Sequence, residues 1–122
     1  MFPGSFLSQE GKKIKGFTQA IFTGLSTNYF SEIITELISH FPDMRGLYHV
    51  SSEAISKYNL LVMMKEAYRI SVDIEPDNSF VCRRDLDGRR FERETGLKAP
   101  PWKQMMAEMA RDSTPYTQWR AK

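Results

Sequence analysis

The densest group of side chains capable of chemistry is an alternation of arginines and acids between residues 83 and 94. Arginine's planar guanidinium makes paired hydrogen bonds to phosphate oxygens, and the amino terminus of a helix attracts the same negative charge. A helix predicted to start at Gly88 places its amino terminus inside this cluster. The pattern therefore predicts phosphate binding, and the candidate residues are Arg83, Arg84 and Arg89.

The same cluster is also consistent with a solvated surface whose charges pair with one another. Five arginines and four acids share the window, and Arg90 and Glu94 have the i, i+4 spacing of a helical ion pair. Exposed pairs of this kind contribute little to stability. Both interpretations stay open at the level of sequence.

No other motif indicates catalysis or metal binding. None of the tyrosines is followed by a lysine four positions later, and the glycines never form G-x-G-x-x-G or G-x-x-G-x-x-G. The nucleophile motif G-x-S-x-G is missing, and neither His40 nor His49 has a second ligand at metal-binding spacing. The sequence therefore predicts no catalytic residue, no cofactor-binding residue and no metal ligand.

The composition is that of a globular domain in a reducing compartment. The 122 residues are 41% hydrophobic and 12% aromatic, and the net charge of +2 disfavours a nucleic-acid-binding protein. Cys82 is the only cysteine, so no internal disulfide can form. The longest apolar run, residues 60–64, is too short to span a bilayer, and the first residues do not have the pattern of a signal peptide. We expect a cytoplasmic protein without membrane contact.

Four helices and a short fifth are expected to position these side chains. The clearest has apolar residues at i, i+3, i+4, i+7, i+8 and i+11 from Phe30, and Pro42 ends it. The others are predicted over residues 5–10, over residues 57–68 after the cap Ser56, over residues 88–95 between the cap Asp87 and the stop Gly96, and from Trp102 after Pro100 and Pro101.

Three short strands are predicted between the helices. They cover residues 12–17, residues 47–50 and the alternating residues 70–74, and Pro76 and Asn78 are expected to end the last one. Strands separated by helices favour an α/β fold. The predicted class is therefore α/β with few short strands and four or five helices, a thin sheet whose apolar surface is costly to expose.

Several soft motifs, taken in their order, resemble one enzyme family. They are GLYHVSS at residues 46–52, ISKYNLL at residues 55–61, and DLDGRRFERETG at residues 85–96 followed by prolines and a Trp-led helix. Over residues 5–109 the chain resembles the carboxyl-terminal, substrate-binding part of the dTDP-4-dehydrorhamnose reductase family. This family belongs to the extended short-chain dehydrogenases, within the NAD-dependent epimerase superfamily.

The resemblance implies a division of the chain. Residues 1–112 would form the substrate-binding region of a sugar-nucleotide reductase, and residues 113–122 would form a carboxyl-terminal tail. The amino-terminal Rossmann half of the family fold would be absent. Because that half binds NAD(P) in the family, this chain alone would bind no cofactor.

The resemblance also implies substrate contacts. Gln19, Thr23, Gly24 and Thr27 match by position a loop on the substrate side of the family's site. Gln19 departs from the pattern, since Asn or Asp is more usual there, and its longer side chain would shift any contact. Local helix capping alone explains Thr27. The arginines at residues 83–89 would then contact the diphosphate of a nucleotide sugar.

The favoured hypothesis is the substrate-binding portion of an NAD(P)-dependent nucleotide-sugar reductase of deoxysugar and cell-surface polysaccharide biosynthesis, inactive alone. It would bind a nucleotide sugar weakly. Residues 60–64 and the apolar face of the helix from Phe30 would contact an amino-terminal Rossmann partner chain or a second copy. The alternative is a non-catalytic interaction module or a truncated remnant of such an enzyme. Nucleic-acid binding is a third hypothesis, which the near-neutral charge disfavours.

Overall fold

The structure is a computed structural model that describes residues 11–113. The helix predicted for residues 5–10 and the tail beyond Ser113 lie outside the described residues. Within them the class is α/β, as predicted, with three strands and four helices. In chain order these are β1 (Lys13–Phe22), α1 (Thr27–His40), β2 (Ile55–Ser56), α2 (Lys57–Tyr68), β3 (Asp73–Arg84), α3 (Arg89–Thr95) and α4 (Trp102–Arg111).

The strands form one sheet in the order β2-β1-β3. β1 pairs in parallel with β3 along most of its length, whereas β2 adds only two antiparallel residue pairs at the carboxyl end of β1. A parallel pair requires a long crossover connection, and α1, β2 and α2 provide it here. Because β1 is the central strand, both β2 and β3 make their strand pairing with it.

The first strand is longer than predicted. The sequence predicted a strand over residues 12–17, but β1 continues to Phe22 because residues 19–22 pair with residues 81–84 of β3. Gly16 allows α2 to lie against the strand, since a Cβ atom at this position would be 2.7 Å from the ring of Tyr58.

The predicted end of the third strand is wrong. β3 runs through Pro76 and Asn78 to Arg84. The pairing goes from Phe17 opposite Asp77 to Gln19 opposite Val81, so β3 carries two extra residues at this point and bulges. Proline is tolerated because β3 is an edge strand of the described sheet, where a missing N–H disrupts no ladder on the outer side.

The strand predicted over residues 47–50 is also wrong. This segment has no regular structure, and it has no strand neighbour among the residues that the structure describes. The carbonyl of Leu47 accepts a hydrogen bond from Nη1 of Arg90 at 3.3 Å. A strand is defined by its pairing, so an alternating sequence without a partner strand does not form one.

Most predicted helix ends are confirmed. The hydroxyl of Ser56 accepts a hydrogen bond from the backbone N–H of Asn59 at 3.1 Å and caps α2. Gly96 ends α3 in the left-handed conformation, with φ of 73°. The predicted cap Asp87 is one position too early, because the helix begins at Arg89 and Gly88 is its N-cap residue.

The hydrophobic core lies between the sheet, α2 and α4. Residues 60–64 were expected to face a missing partner, but α4 covers their most apolar side chains instead. Each buried residue contributes roughly 1.5–3 kcal/mol through its removal from water. The core residues of α2 and α4 are Leu60, Leu61, Met64, Trp102, Met105 and Met106. Between residues 11 and 113, no helix has the length and apolar character needed to cross a membrane.

Candidate functional site

The carboxyl ends of the parallel strands β1 and β3 lie at one edge of the sheet. β1 ends at Phe22 and β3 ends at Arg84, and these two residues are paired. In open α/β sheets ligands bind in the crevice outside the carboxyl ends of the strands. The loops that follow the two strands therefore form the candidate site.

Thr23 holds this edge together. It is only 6% exposed, and its hydroxyl accepts a hydrogen bond from the backbone N–H of Leu86 at 2.8 Å. Its carbonyl accepts from the N–H of Ser52 at 2.9 Å. Thr23 thus joins the loop after β1 to the loop after β3 and to the segment before β2. Because Thr23 is buried, its hydroxyl contacts the protein rather than solvent.

Two small residues that the sequence analysis did not predict as site residues, Ser52 and Gly88, complete this edge. The hydroxyl of Ser52 donates to the carbonyl of Gly24 at 2.6 Å. Gly88 is buried against the segment before β2, where an added Cβ would lie 3.1 Å from the N atom of Ser51. The sequence indicated these two residues only by placing small side chains next to the ends of a strand and a helix. Small residues at such positions are also typical of ordinary turns.

Arg83 and Arg89 are each paired with a neighbouring carboxylate. The guanidinium of Arg83 donates to both oxygens of Asp85, at 3.2 and 3.1 Å. The shortest bond from Arg89 to Asp87 measures 2.6 Å. The hydrogen bonds from Arg89 lower the pKa of Asp87 to about 2. A phosphate would have to compete with these carboxylates for both cations.

Arg90 makes the helical ion pair that its spacing predicted. Its Nε lies 3.0 Å from Oε2 of Glu94, and its guanidinium lies 4.4 Å from the ring centre of Tyr48. The hydroxyl of Tyr48 donates to Oε1 of Glu94 at 3.1 Å. These contacts attach residues 47–50 to α3, so this part of the cluster is a paired surface.

Arg84 differs from Arg83, Arg89 and Arg90. Its guanidinium has no hydrogen-bond or ion-pair partner among residues 11–113. It lines an open cleft of about 640 Å³ between β1, β3 and the start of α2, which we call the Arg84 cleft. The cleft is lined by Ile14, Lys15, Phe17, Ala20, Ile21, Phe22, Lys57, Leu60, Leu61, Phe80, Cys82 and Arg84.

Arg83 and Arg84 are directed to opposite faces of the sheet. Arg83 is paired with Ile21, and Arg84 with Phe22, so the two side chains alternate along β3. Arg83 lines a different opening of about 720 Å³, with Glu53 and Asn59 among its neighbours, which we call the Arg83 cleft. The structure therefore does not bring the two predicted phosphate ligands together on one face.

Gln19 is also separate from the carboxyl edge. It is exposed on β1, opposite Val81, and lies four residues before Thr23. At about 3.3 Å per residue this is a distance of roughly 13 Å along the strand. The alternation of side chains along the paired strands places Gln19 on the same face of the sheet as Arg83.

No acidic, histidine or cysteine side chains group into a metal site within the described part of the chain. The one cysteine, Cys82, is half-buried in the wall of the Arg84 cleft. The cations at this edge of the sheet are arginines, whose guanidinium groups suit contact with an anion.

The fold is similar to that of solved dTDP-4-dehydrorhamnose reductases. The enzyme from Bacillus anthracis, solved in complex with NADP, matches with a TM-score of 0.72 and 18% identity over 87% of this chain. The enzyme from Clostridium acetobutylicum matches with a TM-score of 0.69 and 18% identity over 99% of this chain. RMD from Pseudomonas aeruginosa, solved in complex with NADPH, matches with a TM-score of 0.61 and 16% identity over 88% of this chain.

These matches cover only a part of the other proteins. The shares are 40% of the Bacillus chain, 44% of the Clostridium chain and 38% of the Pseudomonas chain. No protein-family model and no curated protein matches the sequence. The chain therefore has the fold of a portion of these proteins, and it spans about 40% of their length.

Proposed function

We propose that this chain is the substrate-binding portion of an NAD(P)-dependent nucleotide-sugar reductase similar to dTDP-4-dehydrorhamnose reductase. The observation that carries the proposal is the fold match, which covers most of this chain and less than half of each reductase. Residues 1–112 would form the substrate-binding region and residues 113–122 a tail. The protein would act in the cytoplasm, in deoxysugar and cell-surface polysaccharide biosynthesis.

The diphosphate of the substrate would bind at the carboxyl edge of the sheet. Arg84 is the best candidate ligand, because its guanidinium is unpaired among the described residues. Arg83 and Arg89 would contribute only after exchanging their carboxylate partners. A charge-assisted hydrogen bond contributes about 1.5–3 kcal/mol when it is buried, and less at an exposed edge such as this one. We therefore expect weak binding.

The two other candidate residues, Thr23 and Gln19, would have different roles. Thr23 would act by holding the loop after β3 in place through its bond to Leu86. Gln19 would contact the substrate only from the face that carries Arg83. This arrangement makes Gln19 the least supported of the proposed contacts.

Hydride transfer and NAD(P) binding would belong to a partner. The sequence contains no glycine-rich dinucleotide motif and no Tyr-x-x-x-Lys pair, which the reductase family uses for these steps. We propose an amino-terminal Rossmann chain as the partner, or a second copy of this chain. Phe30, Ile34 and Ile38 on α1 are 46%, 41% and 72% exposed, which supports contact with another protein surface.

Titration calorimetry with dTDP-glucose tests this function. We expect millimolar affinity for the nucleotide sugar, no measurable heat from free glucose, and a clear loss of binding in Arg84→Ala. NADPH oxidation with a dTDP-4-keto sugar should be undetectable for the chain alone. Binding of glucose as tight as that of dTDP-glucose, or NADPH turnover by the purified chain, would contradict the proposal.

A second candidate is a non-catalytic interaction module that retains this fold. The exposed apolar surface of α1 and Leu47, which is 78% exposed, favours it. Light scattering combined with the titration separates the two candidates. Self-association without any binding of dTDP-glucose would support the module. Binding of dTDP-glucose would support the reductase portion.

A further inference from the structure

The Arg84 cleft has a composition that differs from that expected of a sugar-binding site. Among the described residues, no Ser, Thr, Asn, Gln, Tyr or His side chain lines it, and no carboxylate does. Its polar side chains are Lys15, Lys57, Arg84 and the thiol of Cys82. A sugar ring or a nucleobase held here would find few side-chain partners for its hydroxyl or amide groups.

The walls of the cleft are suited to an apolar body. Phe17 and Phe80 lie with their ring centres 5.1 Å apart, and Phe22 and Leu60 continue the surface toward the carboxyl edge. The volume of about 640 Å³ falls within the range of roughly 300–1,000 Å³ that is usual for small-molecule sites. The cleft follows β1 from Ile14 to Phe22, so its shape is elongated.

The cleft is positively charged along its length, with Lys15 and Lys57 near Phe17 and Arg84 at the carboxyl end. Lys15 lies 3.8 Å from Asp77 and is paired. Lys57 lies 5.5 Å from the centre of the Phe17 ring and has no carboxylate partner among residues 11–113. Arg84 has no partner there either, and it stands beside Phe22 where the strand ends. An anion at this end would gain a charge-assisted contact without displacing a carboxylate.

We propose that the Arg84 cleft binds an elongated organic anion with an apolar body, its anionic group at Arg84 and its body toward Phe17 and Phe80. This site shares Arg84 with the nucleotide-sugar function proposed above, so the two ligands would compete for that residue, whereas Phe17 and Phe80 would contact only the apolar body. The head group is a carboxylate or a phosphate, because the guanidinium of arginine makes paired hydrogen bonds to the oxygens of both.

Dodecanoate, dodecyl phosphate and dodecanol are suitable probes, used with the full chain below their micelle concentrations. Nuclear magnetic resonance should show saturable shifts at Ala20, Leu60 and Cys82 with both anions. Tighter binding of dodecyl phosphate identifies a phosphate head, and tighter binding of dodecanoate identifies a carboxylate. Shifts confined to the exposed face of α1, or no saturable binding of either anion, would overturn the proposal.

Arg84→Gln and Arg83→Gln form a matched pair, since the residues are adjacent and face opposite sides of the sheet. Arg84→Gln should weaken dodecanoate binding about tenfold, because it removes the charge that contacts the head group. The same variant should leave dodecanol binding unchanged. Arg83→Gln should change dodecanoate binding less than about twofold. Equal weakening in both variants would contradict the proposal.

Phe80→Ser provides an independent test that does not remove a charge. Phe80 is 48% exposed, so its replacement should preserve the fold, which circular dichroism checks. The variant should weaken the binding of both anions and leave the binding of dTDP-glucose unchanged. Unchanged binding of dodecanoate in Phe80→Ser would exclude the cleft as the site of the apolar body.

Discussion

The helices α1 and α4 carry similar apolar patterns, but their surroundings differ. In α4, Trp102 and Met105 are 4% and 0% exposed, because they pack against α2 and the sheet. In α1, only Ile33 is buried, whereas Ile34 and Ile38 remain 41% and 72% exposed. The periodicity of apolar residues predicted both helices correctly. It does not determine which surface covers the apolar face.

The difference divides the molecule into a packed side and an open side. The packed side contains α2 and α4 and the hydrophobic core. The open side is an apolar groove of about 720 Å³ along α1, which continues to Leu47 and Tyr48. Exposed apolar surface of this extent is typical of a surface that contacts another protein. The proposed partner would therefore bind on the side of α1.

The largest expected effect contrasts the two helices directly. Met105→Ala should lower the free energy of unfolding by about 2–5 kcal/mol, because it leaves a cavity at a fully buried position. The matched variant Ile38→Ala, on the exposed face of α1, should change it by less than about 0.5 kcal/mol. Urea denaturation measures both. Equal losses in the two variants would show that α1 is covered in solution.

A smaller effect is expected at the carboxyl edge. Thr23→Val removes the hydroxyl that accepts from the N–H of Leu86 and should cost about 1–2 kcal/mol of unfolding free energy. The exposed Thr35, whose hydroxyl donates to the carbonyl of Ser31, provides the control, and Thr35→Val should cost less than about 0.5 kcal/mol. Thermal or urea denaturation measures the difference. If the two variants were equally stable, Thr23 would not hold the loops together.

The smallest effect concerns the exposed pair of Asp87 and Arg89. The pKa of Asp87 is lowered from 3.8 to about 2 by its hydrogen bonds to Arg89. A lowered pKa stabilises the folded state above about pH 4, and this contribution is lost as the pH falls from about 4 to about 2. A carboxyl-carbon titration should therefore give a midpoint near 2, and Arg89→Gln should raise it toward 3.8. A midpoint near 3.8 in the unmodified protein would mean that the pair does not form.

The elements that depend on local chemistry were predicted from the sequence. Ser56 and Gly96 act at the ends of helices through bonds to residues three or four positions away, so their roles can be inferred from nearby residues. The second half of β1 was missed because its partners on β3 are more than sixty positions away in the sequence. Residues 47–50 alternate like a strand but have no strand neighbour among the described residues. The residues of one strand do not by themselves determine whether another strand pairs with it.

The candidate site was predictable in composition but not in arrangement. The sequence identified the arginines, and it predicted the ion pair of Arg90 with Glu94. It did not separate Arg83 from Arg84, because the predicted strand ended before them. If the predicted strand had extended to Arg84, the alternation of its side chains would have placed Arg83 and Arg84 on opposite faces.

The location of nucleotide-sugar binding tests the central claim most directly. In a resonance titration with dTDP-glucose, we predict shifts that cluster at the carboxyl edge, at Thr23, Arg84 and Gly88. Free glucose should leave these signals unchanged. Shifts that cluster on the exposed face of α1, or no shift at tens of millimolar dTDP-glucose, would contradict a substrate-binding role for this chain.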